Sequence, residues 1–75
     1  MNDYRKRCNA MKTMEMLCRR FEKLFPDFAA DLDTLESHTG CYRVCIVDLV
    51  HDLYCWHMFA TCREFREWMD GVVLD

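Results

Sequence analysis

His51 and Cys55 stand four residues apart, with Asp48 and Asp52 beside them. On a helix that spacing is one turn, so a thiol, an imidazole and a carboxylate could share a face. These are parts of a Cys–His nucleophile. The remaining parts are missing. The sequence has no glycine-rich phosphate loop, no nucleotide fingerprint and no evident oxyanion donors. His51 then reads as a polar residue on a partly exposed face, His38 as a turn residue and His57 as a boundary residue. No catalytic residue and no enzymatic activity are expected.

The same residues can be read as metal ligands. Cys41 and Cys45, and again His51 and Cys55, form i, i+4 pairs on a helix. The two pairs would lie about 15 Å apart along it and could not share one ion. His38, Cys41 and Cys45 around a turn make the best candidate set, but no spacing matches a known zinc signature. No metal or other cofactor is expected. In a reducing compartment the six cysteines are read chiefly as free thiols that act as small apolar fillers.

Cys8 and Cys18 enclose nine residues in CNAMKTMEMLC, and Cys45 and Cys55 enclose nine in CIVDLVHDLYC. In this the sequence resembles the twin CX9C proteins of the mitochondrial intermembrane space. The resemblance implies a helical hairpin clamped by two disulfides, here Cys8–Cys55 and Cys18–Cys45. It also implies oxidative import without a cleavable signal, and roles in respiratory-complex assembly, copper handling or lipid transfer.

The elements that would carry these residues are read as helices. Tyr4, Met11, Cys18 and Phe25 recur every seven residues, with Met14 and Phe21 between them, which predicts an amphipathic helix over about 2–25. Pro26 ends it. Phe28, Leu32 and Leu35 at i, i+4, i+7 predict a short helix over about 27–37. His38-Thr39-Gly40 is a turn. Residues 41–69 then read as a long third helix closed by Asp70-Gly71, with two apolar stripes. A helix that is apolar on several sides must be surrounded. The expected fold is therefore all-α: one domain over 1–75, with helices long, short and long in an antiparallel bundle completed by a homodimer. Tyr42, Ile46, Leu49, Leu53 and Met58 would form the dimer core.

The 75 residues are 52% apolar and 31% charged, which is too apolar for a disordered segment. Asp48, His51 and Asp52 interrupt the best apolar run, so no membrane span is expected. No targeting signal is visible, and a cytoplasmic location is expected. Charge is uneven: residues 1–25 hold seven basic and three acidic groups, and 26–75 hold three and ten. Arg5, Lys12, Arg19 and Lys23 on the first helix are candidate nucleic-acid contacts, but a pI near 5.5 disfavours that role. The function expected is a non-catalytic interaction module, an inhibitor or adaptor that blocks or bridges another protein. Phe65, Trp68, Met69, Trp56, Phe28 and Leu32 are the candidate partner-binding residues. A twin CX9C hairpin and a nucleic-acid-binding dimer are the alternatives.

Overall fold

A computed structural model describes residues 3–37 and 40–72, with side chains from Asn9 onward. The elements are helix α1 (Asp3–Leu24), strands β1 (Phe28–Leu32), β2 (Tyr42–Asp48) and β3 (Leu53–Phe59), and helix α2 (Cys62–Gly71). The strands form one antiparallel sheet in the order β1-β2-β3. Both helices pack on the same face of it. The fold is α/β, and the expected all-α bundle is overturned.

The first helix forms where its periodicity places it. Met14, Leu17, Cys18 and Phe21 are buried against the sheet. The amide of Phe25 donates to the Phe21 carbonyl at 2.9 Å, and Pro26 stops the helix there.

Residues 27–37 do not form the expected second helix. Phe28, Ala30 and Leu32 alternate onto the helix-covered face of strand β1. Phe28 and Leu32 are four apart, a spacing that suits a helical face and a strand face alike. Asp33 then ends the strand with a side-chain turn. Its Oδ1 accepts from the amides of Leu35 and Glu36, both at 3.0 Å. Ser37 Oγ accepts from the Arg43 amide at 3.0 Å and leads into β2.

Residues 41–69 are not one helix but a hairpin followed by a helix. Tyr42, Val44 and Ile46 are buried at every second position, which is strand alternation. A four-residue turn, Leu49–Asp52, joins β2 to β3. Asp48 Oδ1 accepts from the amides of Val50 and His51 at 3.0 and 3.1 Å. Asp52 closes the turn at φ 56°, a left-handed conformation that Asp tolerates better than most residues. The several apolar sides that suggested a surrounded helix are the two faces of paired strands projected onto a helical wheel. With that helix gone, so is the premise for a helix-centred dimer.

Thr61 caps α2, its Oγ1 accepting from the Glu64 amide at 3.1 Å. The helix buries Phe65 and Met69. Phe65 stacks on Phe59 with ring centroids 4.7 Å apart, and Trp68 stacks on Phe21 at 5.6 Å. These contacts close the core between helices and sheet. Among the described residues, no helix is long and apolar enough to cross a membrane.

Candidate functional site

The two edges of the sheet are treated differently. At the β1 edge, α1 supplies a side-chain clamp. Glu22 Oε2 accepts from the Ala30 amide at 3.0 Å, and the Arg19 guanidinium donates to the Ala30 carbonyl. Arg19 also pairs with Glu22 at 3.2 Å and lies 3.7 Å from Asp31. The backbone of Ala30 thus finds, in two side chains, the donor and acceptor that another strand would offer. That is one way an edge is protected against pairing.

Strand β3, LYCWHMF, forms the opposite edge and carries no Asp, Glu, Lys or Arg. Among the described residues no side chain bonds its backbone. Most of it faces solvent: Leu53 is 64% exposed, Tyr54 68%, Trp56 44% and Met58 55%. Tyr54, Trp56 and Met58 lie on the sheet face away from the helices. They are opposite Val47, Cys45 and Arg43 of β2. The Arg43 guanidinium sits 4.0 Å over the Trp56 ring, a cation–π contact that fixes the indole.

The other face of β3 presents Leu53, Cys55, His57 and Phe59. Cys55 Sγ lies 3.2 Å from His57 Nε2, since residues two apart on a strand share a face. The His57 ring packs on Trp68 at 4.8 Å. Beside this pair is an open apolar groove of about 310 Å³, with Phe28, Ile46, Leu53 and Trp68 in its walls.

The structure redistributes the residues singled out from the sequence. His51 is in the β2–β3 turn, with Nδ1 2.8 Å from Asp48 Oδ2. Its hydrogen bond to Asp48, with the turn amides, holds that carboxyl below its ordinary range. Cys55 is thus paired with His57, and the drawn His51–Cys55 pair does not form. Of the partner-binding set, Phe65 and Met69 are buried in the core, and Phe28, Leu32 and Trp68 pack against it. Trp56 alone is broadly exposed. Of the dimer-core set, Tyr42 and Ile46 belong to the chain's own core, while Leu49, Leu53 and Met58 face solvent.

Cys18, Cys41, Cys45, Cys55 and Cys62 are free thiols. Cys18 is under the helix layer and Cys45 is on the far face of the sheet, so the sheet separates them. The helical hairpin that the twin CX9C resemblance implies is not this fold. The side chains of Cys8 and Arg5 lie outside the described residues, as does His38. Cys41 and Cys45 are on extended chain, where residues four apart are about 13 Å apart, too far to bind one ion. Among the described residues no group of three or more His, Cys, Asp or Glu could hold a metal. Lys12 and Lys23 are exposed on α1, whereas Arg19 is engaged in the β1 clamp.

No family model, curated protein or solved structure matches this chain.

Proposed function

We propose that this chain is a non-catalytic protein-interaction module whose binding element is strand β3, and that the strand it binds is β3 of a second copy. The contrast between the two edges carries this reading: β1 is closed by Arg19 and Glu22, and β3 is open, apolar and uncharged. An edge of that kind is a template for strand addition. This keeps the interaction role expected from the sequence and moves it from helices to the sheet.

The strand's own composition favours a second copy as occupant. Two antiparallel β3 strands meeting about a twofold axis at Trp56 use all seven residues. No charge then meets a like charge, a juxtaposition that would be destabilising. Tyr54 comes opposite the copy's Met58, and Trp56 opposite the copy's Trp56. The exposed apolar residues Leu53, Tyr54, Trp56 and Met58 flank the edge on both faces, so the same residues of a copy meet apolar neighbours across the axis.

Sedimentation equilibrium tests the proposal. The reduced chain at micromolar concentration is expected to be a dimer, and Trp56→Lys, which sets two cations face to face at the axis, a monomer with unchanged far-UV circular dichroism. A parent chain that is monomeric both with and without divalent metal in the buffer, or a lysine variant that dimerises as tightly as the parent, overturns it.

A further inference from the structure

We propose that the twofold axis of this self-pairing carries a zinc site, made by Cys55 and His57 of both copies. The inference rests on β3 self-pairing, and its test separates the two. One chain already holds half of a tetrahedral site. Cys55 Sγ and His57 Nε2 approach to 3.2 Å on the same face of one edge strand. Two ligands of a tetrahedral zinc with ordinary Zn–S and Zn–N bonds lie about 3.6 Å apart. A few tenths of an ångström of side-chain rotation bring the pair to that separation.

The second half follows from the register. In antiparallel pairing about Trp56, residues whose numbers sum to 112 are opposite each other. Cys55 then faces the copy's His57, and His57 faces the copy's Cys55. Opposed residues on antiparallel strands have Cα atoms about 4.5–5.5 Å apart, and residues two apart on a strand are about 7 Å apart. Two thiols and two imidazoles therefore converge within one small rectangle, all on the helix-covered face. The surroundings suit a structural metal. Trp68 holds the His57 ring at 4.8 Å, and Ile46 and Leu53 wall the adjoining groove.

The charge balances. Each Cys55 thiol releases its proton to solvent as its sulfur bonds Zn²⁺, and each imidazole binds neutral through Nε2. Two thiolates offset the two positive charges of the ion, so the filled site is neutral. A neutral cluster suits a partly apolar environment far better than a bare charge. A single chain offers two ligands here and the dimer four, so the metal would act as a clasp on the edge pairing.

The test is equilibrium dialysis of the reduced full chain against Zn²⁺, with sedimentation run in zinc and in chelator. The expected result is one zinc per two chains and a tighter dimer in zinc than in chelator. Cobalt substitution is expected to give a thiolate-to-metal absorption band. Cys55→Ser and His57→Ala are each expected to weaken zinc binding by more than about 100-fold, beyond the effect of an outer-shell change. A dimer that binds no zinc, or that keeps its zinc in the Cys55→Ser/His57→Ala double variant, overturns the site and leaves the edge pairing standing. A chain that stays monomeric in zinc and in chelator overturns both.

Discussion

Cys18 and Cys55 are the same chemical group in opposite surroundings. Cys18 is fully buried on the sheet-facing side of α1, and burial pushes its thiol up to about 12. Cys55 is exposed on the edge strand. Brief treatment of the native, reduced chain with iodoacetamide at pH 8, in chelator and at a concentration too low for self-pairing, is therefore expected to label Cys55 and spare Cys18. Both should label in denaturant, as read by peptide mass. Equal native labelling of the two would show that Cys18 is not held in the core as described. At this scale the sequence disclosed the reagents but not their pairing. Helical spacing pairs Cys55 with His51, one turn away, whereas on a strand its neighbour is two residues away, at His57. Spacing assigns partners only once the period of the element is known.

The elements show where that period was legible. Helix α1 has three heptad positions buried in sequence and a proline at its end, and no strand explains that pattern. The short segment at Phe28–Leu32 was not legible, because FAADL has little intrinsic strand preference. Pairing with β2 and the clamp from α1 hold it extended, so tertiary context decides. Two local signals did announce the remaining elements. Thr61-Cys62-Arg63-Glu64 has the spacing of a helix-capping box, which marks a helix starting at Cys62 and excludes one running through it. Asp48 before the turn and Asp52 as its last residue mark where the apolar run divides into two strands. The clamp makes a prediction of its own. Glu22→Ala leaves the buried Ala30 amide without its acceptor and is expected to cost about 1–2 kcal/mol, read as a lower urea midpoint with an unchanged slope. An unchanged midpoint would mean that the β1 edge does not depend on α1.

Taken whole, the molecule is a two-layer plate whose Cα extents are 43 × 23 × 16 Å. Helices cover one sheet face and leave the other bare. Such a plate has a small core, and a chain of this length has a stability of only about 4–11 kcal/mol at the usual 0.05–0.15 kcal/mol per residue. Phe21 is fully buried and touches both the Phe25 and Trp68 rings. Phe21→Ala is expected to cost about 3–5 kcal/mol, a large share of that total, read as a lower urea midpoint. An unchanged midpoint would place the centre of the core elsewhere. If copies join through β3, thermal stability also rises with protein concentration, because association draws on the folded form alone. The Leu49–Asp52 turn has a reach out of proportion to its four residues. Its length sets how β3 is laid beside β2, and a slip of one residue would exchange the two faces of the strand. Tyr54, Trp56 and Met58 would then lie under the helices, and Cys55 and His57 would face away from them. That solvent-exposed loop, remote from both Trp56 and His57 in chemistry, is what gives the strand its inside and its outside.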